Sequence, residues 1–283
     1  MSAIQYLSKN KRPIIFAIAI GSCLLPVLFP LGIGTIPTHN TIAWYDVVKE
    51  NEGQPVVWVS GFSLSTWIGD LPDHVAIAKT LMKHNAKIIM WSPRVADYGY
   101  AMERLMVEVG AEEDFGYEYG VDWVILGYRA GGVEVAFAAV SSDIKGAFPV
   151  DFRGNDINTL PIMEGIDSMA DVPVGIFHYG EGPMVEMIMR QWWGPYEVEI
   201  IPWCLPGAQP ESMAYVGPNK PIKGLLVGKQ GTAELEVLTG FLGDATILQD
   251  AMGIIMLSTI ILLAVSNYNY FTAERSKTMD GGT

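Results

Sequence analysis

Near each end of the 283-residue chain stands a long stretch without one charged side chain, and these two stretches restrict the fold more than any other feature. The first, Pro13 to Gly34, reads PIIFAIAIGSCLLPVLFPLGIG over 22 residues; the second, Ala251 to Phe271, reads AMGIIMLSTIILLAVSNYNYF over 21. At about 1.5 Å of rise per residue, each is long enough as a helix for a hydrocarbon layer of roughly 30 Å. Two transmembrane helices are therefore expected, at 13–34 and 251–271. They follow a basic amino terminus (1–12), enclose a domain (35–250) and leave a short tail (272–283). Pro26 and Pro30 kink or shorten the first span, and with the basic start they also fit a signal peptide. No A-x-A-like cleavage site follows it, which favours a retained anchor. The second span ends in Tyr268, Tyr270 and Phe271, residues suited to the membrane interface.

The flanks suggest an orientation. Lys9, Lys11 and Arg12 are the only charges in residues 1–12, whereas 35–55 offers a single basic residue, Lys49. Positive-inside reasoning puts the amino terminus in the cytoplasm, two spans return the carboxy terminus there, and the domain lies outside the cytoplasm. Membrane lipid is thus an expected partner. The formal net charge of -13 argues against nucleic acid, since Lys9, Lys11 and Arg12 form the longest basic cluster. Cys23 and Cys204 are the only cysteines, too few for a disulfide framework or a CxxC metal site, and no metal is expected.

Between the spans, short β-rich runs alternate with helical patterns. PVVWVS (55–60), AKIIMWS (86–92), VDWVILGY (121–128), VPVGIFHY (172–179) and YEVEIIPWC (196–204) read as strands. DHVAIAKTLMKH (73–84), with Pro72-Asp73 as its start, YAMERLMVEVG (100–110), 132–142 and MVEMIMRQWW (184–193) read as helices. Near-continuous apolar strands separated by helices predict an α/β, doubly wound, mainly parallel sheet of about five strands, Rossmann-like. Ligands of such sheets lie beyond the carboxyl strand ends, near the topological switch point. The region 219–245 reads as a glycine-containing helix whose Gly224, Gly228 and Gly231 suit close packing.

Several groups are candidates for chemistry. In GYRAGG, Gly131 and Gly132 open a helix after a strand, and with Arg129 they fit a phosphate or carboxylate. The order of glycines is not G-x-G-x-x-G and no P-loop Lys-Ser/Thr follows, so a plain strand-to-helix turn is the preferred reading. The loop 149–163 gathers Asp151, Arg153, Asn155 and Asp156, which orient a ligand or stabilise the loop itself. His178, at a strand end near Glu181, is the acid-base candidate beside Asp151. Ser60 and Ser63 in VSGFS are not in a nucleophile elbow, and no base lies beside them in sequence. Trp192, Trp193 and the methionines of MVEMIMRQWW suit either a core or a subunit interface.

The segment LGYRAGGVEVAFAAVSSDIKGAFPVDFRGNDINTLPIMEGIDSM, followed by KGLLVGKQGTAELEVLTG, resembles a family of prokaryotic membrane-anchored Rossmann-like proteins of unassigned function. The motifs are the Gly-Tyr-x-x-Gly-Gly turn, the Asp-x-x-Gly loop ahead of Leu-Pro-x-Met, and a late glycine-spaced Ala-Glu-x-Glu segment, over about residues 120–240. The resemblance implies this segmentation and carries over no activity or cofactor. Two functions are in view: a membrane-anchored binding or assembly module in an oligomeric complex, or a membrane-bound enzyme acting on an anionic small molecule at Gly131-Gly132. Convergence of Arg129, Asp151, Arg153 and His178 on one pocket would favour the enzyme.

Overall fold

The computed structural model describes residues 11–29 and 35–280, in two compact units: 36–245, and the terminal segments up to 35 and from 246. In the terminal segments, α1 (Lys11–Leu28) has 18 residues with Pro26 inside it. The carboxy-terminal helix, Asp244–Asp280, has 37. Its stretch Asp244–Tyr268 is the one helix among the described residues long and apolar enough to cross a membrane, where two were expected. The apolar run of α1 is only Arg12–Leu28, about 26 Å of rise, which is short of a typical hydrocarbon layer. The remainder of the first expected span, residues 30–34, lies outside the described residues. Along the long helix, Met256, Leu257, Ile260 and Leu263 are exposed, as side chains made for lipid would be.

The 36–245 unit is an open, mainly parallel α/β domain with helices on both faces. In chain order it contains α2 (His39–Glu50), β1 (Pro55–Val59), α3 (Trp67–Lys83), β2 (Lys87–Ser92), α4 (Tyr98–Glu108), β3 (Trp123–Tyr128) and α5 (Val133–Ser142). There follow β4 (Val174–Tyr179), α6 (Pro183–Ile188), β5 (Glu199–Ile200), β6 (Trp203–Cys204), β7 (Leu226–Val227) and α7 (Gly228–Thr239). The strand order is β3-β2-β1-β4-β6-β7, with β5 also on β4, and every strand pair is parallel. The sheet thus has seven strands against the five expected. The expected strand 196–204 is split into β5 and β6 around Ile201-Pro202, because Pro202 has no N–H to donate to a ladder. The region 219–245 is not one helix: its first part supplies β7, and α7 begins only at Gly228.

Strand alternation explains the two layers. Val56 and Trp58 point into a core covered by α2, α3, α4 and α7, while Val57 and Val59 point into a second core under α5 and α6. Two helices depart from expectation. α2 was not foreseen, and α3 starts at Trp67 with Pro72 inside it. Proline is tolerable there because the acceptor it leaves unbonded belongs to Ile68, a residue 91% exposed.

The glycines of 224–231 are used within the chain. A Cβ on Gly224 would lie 2.0 Å from the Trp44 nitrogen, so α2 rests directly on this backbone. The Trp44 indole N–H then reaches the Ile201 carbonyl at 2.7 Å. Likewise the MIMRQWW segment packs inward. Met187, Ile188 and Trp192 are buried, and Trp192 lies against the bare Gly175 of β4. Core packing accounts for the buried residues of both segments.

Candidate functional site

The order β3-β2-β1-β4 means that the chain, having built outward from β1 to β3, returns to the other side of β1. The switch point therefore lies between β1 and β4, at whose carboxyl ends Ser60-Gly61-Phe62 and His178-Tyr179-Gly180 stand. Trp58 and Ile176 face the α3 layer, so by the period of two Ser60 and His178 face it too. Trp203 of β6, paired with His178, continues the row. From above, α3 brings His74 down between them.

The result is a file of four rings. Centroid separations are 4.1 Å for Phe62 and His74, 4.6 Å for His74 and His178, and 3.7 Å for His178 and Trp203. The His74 Nδ1–H donates to the Asp70 carbonyl at 2.9 Å, which leaves Nε2 to accept from the Ser60 hydroxyl at 3.1 Å. His178 Nδ1 is buried without a hydrogen-bond partner. Burial pushes the His74 imidazole down to about 3 and holds His178 well below its ordinary value, so both rings are neutral.

Behind the rings, α3 and α7 are joined by buried polar contacts. Asp73, fully buried, accepts from the Thr232 hydroxyl at 2.6 Å and from the Lys229 ammonium, and Thr232 accepts from the Trp203 indole N–H at 3.1 Å. Burial raises the Asp73 pKa, and Lys229 and Thr232 oppose that rise. Lys229 also donates to the Gly69 carbonyl.

In front of the rings a cavity of about 310 Å3 opens, lined by Phe62, Asp70, Arg94, His178, Trp203 and Leu205 among others. Arg94 makes one 3.5 Å contact with Glu181, both side chains being largely exposed. Charges of both signs over a wall of neutral rings equip this cleft to bind and orient a small polar molecule.

The Ser60–His74 contact has the look of a nucleophile and base oriented by a backbone carbonyl. Ser60 is fully buried, however, and His74 has lost its basicity, so the pair locks β1 to α3. Its two members stand on different elements, which is why neither sequence neighbourhood reveals the pairing.

Of the residues expected from sequence, His178 lines the cleft and Glu181 contacts it through Arg94. Arg129, Gly131, Gly132, Asp151 and Arg153 do not line it. Gly131 and Gly132 have φ of +117° and +87°, conformations that suit glycine, and serve as an exposed turn into α5. Asp151 is buried and accepts from Tyr119 Oη at 2.9 Å, Asn155 N at 2.7 Å and Asn155 Nδ2 at 2.9 Å. Asp156 accepts from Asn158 at 3.0 Å. Arg153 lies 3.6 Å over the Tyr119 ring and pairs with Glu103 at 2.6 Å. The loop therefore stabilises itself. The Phe152 N–H donates to the Ile125 carbonyl at 2.8 Å, so the loop covers the outer edge of β3 instead of the carboxyl end of the sheet. Among the described residues, no group of three or more His, Cys, Asp or Glu is placed to hold a metal ion.

Comparison with protein-family models, curated proteins and solved structures returned no match for this chain.

Proposed function

We propose that this chain is a membrane-anchored α/β binding module whose small-molecule ligand occupies the cleft at the ends of β1, β4 and β6. The observation that carries this reading is the coincidence of that cavity with the switch point of the sheet. In the same proposal, α1 crosses the membrane as well as the long helix, the basic residues 9, 11 and 12 stay in the cytoplasm, and the domain is outside it. Membership of the membrane-anchored family that residues 120–240 resemble belongs to the same proposal. The module works in an oligomer of its own copies or with other membrane proteins. Tethering supports this, because it raises the local concentration of neighbours.

The enzyme reading, with an anion at Gly131-Gly132, is not favoured. Asp151 and Arg153 are committed to their loop, and His178 lines a different place.

The test is thermal unfolding of the full chain in detergent against a panel of amino acids, nucleotides, sugars and organic acids, with Leu205→Trp as a cleft-filling variant. Leu205 is 48% exposed at the cleft, so the larger ring fills space without disturbing the core. The expected result is a compound that raises Tm of the parent and not of Leu205→Trp. A compound acting equally on both, or none acting on the parent, would sink the reading.

A further inference from the structure

We infer that the ligand of this cleft is a free α-amino acid with an apolar side chain: Arg94 holds its carboxylate, Asp70 its ammonium, and its side chain lies toward Phe62, His178, Trp203 and Leu205. The inference rests on the cleft being the binding site proposed above.

Three observations lead to this class. The first is charge. Arg94 and Asp70 line the same cavity with opposite signs, and among the described residues the Asp70 carboxylate accepts no hydrogen bond. Among the described residues the Arg94 guanidinium pairs with Glu181 alone, at 3.5 Å and with both side chains exposed, a contact of little net strength. A ligand carboxylate can present two oxygens to the guanidinium and so replace Glu181. A simple anion would use Arg94 and meet Asp70 as a like charge; a simple cation would do the reverse. A molecule with both charges satisfies both.

The second is the wall. The rings that line the cavity are Phe62, His178 and Trp203; burial keeps His178 neutral, so this wall adds no charge to the balance, and Phe62 and Trp203 give it apolar surface. Val95 and Leu205 complete that surface. The third is size. At about 310 Å3 the cavity lies at the lower limit for ligand sites, which suits an amino acid and leaves no room for a dinucleotide.

The experiment is titration calorimetry on the full chain in detergent with L-phenylalanine and L-leucine. 3-Phenylpropionate, which lacks the ammonium, and phenethylamine, which lacks the carboxylate, serve as one-charge analogues. At least one amino acid should bind, and each one-charge analogue should bind about tenfold or more weakly than L-phenylalanine or L-leucine, whichever is tighter. Arg94→Gln should abolish the advantage over phenethylamine, and Asp70→Asn the advantage over 3-phenylpropionate, with Tm of each variant close to that of the parent. A one-charge analogue that binds as tightly as the amino acids overturns the inference, as does failure of both amino acids to bind. The two levels separate through Leu205→Trp. If the amino acids fail while another compound binds the parent and not this variant, the cleft stands and the ligand class falls. If an amino acid binds Leu205→Trp undiminished, the cleft itself is the wrong place.

Discussion

His74 on α3 and His178 at the end of β4 stack face to face, their centroids 4.6 Å apart and their planes 18° from parallel. Burial keeps both imidazoles neutral, and a charge on one would lower the pKa of the other further. The Lys229 ammonium lies close enough to oppose a positive charge on either, while the Asp70 carbonyl partly offsets the loss of hydration at His74.

This makes the domain acid-sensitive. The folded pKa of each ring is below the unfolded value, so its contribution is complete above about pH 6.5 and is lost as the pH falls. For His74 the loss extends through the window down to about 3. The slope is about 1.4 kcal/mol per pH unit per imidazole. Asp73, whose pKa is raised, acts in the opposite sense at lower pH, so a difference measurement is needed. Urea unfolding of the full chain between pH 7.5 and 5 should show a slope that becomes smaller in His178→Gln than in the parent, by nearly one proton at the acid end. Equal slopes would mean that His178 titrates as an exposed histidine does.

Asp73 and Lys229 fasten α3 to α7 and, through Thr232, hold Trp203 in the ring file. Asp73→Ala takes the acceptor from Thr232 and from Lys229, which keeps the Gly69 carbonyl, and should cost about 2–3 kcal/mol. Replacing both, as Asp73→Leu with Lys229→Met, should recover a large part of it. Thermal unfolding decides, and a loss below about 1 kcal/mol in the single variant would show the pair to be ornamental.

The loop at Asp151 offers a separation of stability from binding. Asp151→Ala deprives Tyr119 and Asn155 of their acceptor and should destabilise by about 2–3 kcal/mol, leaving calorimetric titration of the cleft with L-phenylalanine unchanged. Arg153→Ala should cost less, about 1 kcal/mol, because its contacts are exposed. Weakened binding with normal stability in either variant would return this loop to the functional site.

Membrane orientation is open to thiol labelling. Cys204 is fully buried and burial raises its thiol to about 11, so in the folded parent it should stay silent toward an impermeant maleimide. Ile68→Cys places a thiol at a position 91% exposed and should label from outside intact cells. Labelling of Ile68→Cys only after the membrane is breached would put the domain in the cytoplasm.

Assembly is measured by the mass of the detergent-solubilised parent. More than one chain per particle is expected over a range of mild detergents, whereas a single-chain mass throughout would count against the oligomer. Trp192 is unsuited to probing an interface, since it is fully buried against Gly175 and its loss would disturb the core first.

The sequence by itself determined the α/β alternation and one helix long and apolar enough to cross a membrane, because both are written in local period and length. β1 to β4 follow from apolar runs of five or six residues, and Asp244–Tyr268 from uninterrupted apolar length. Among the described residues the apolar run near the amino terminus, Arg12–Leu28, falls short of spanning length, and α2 was not foreseen although Thr41, Trp44, Val47 and Val48 recur at helical spacing. Tertiary structure alone decided the site. The ring file draws Phe62 from the loop after β1, His74 from α3, His178 from β4 and Trp203 from β6, and its polar support comes from α7. Those residues meet because β4 returns beside β1 and not beside β3, and such strand order depends on contacts between distant segments that no local pattern encodes. Gly131-Gly132 shows the converse: its local pattern allowed a ligand turn or a plain one, and a chain that must leave β3 and enter α5 needs glycine there whether or not anything binds.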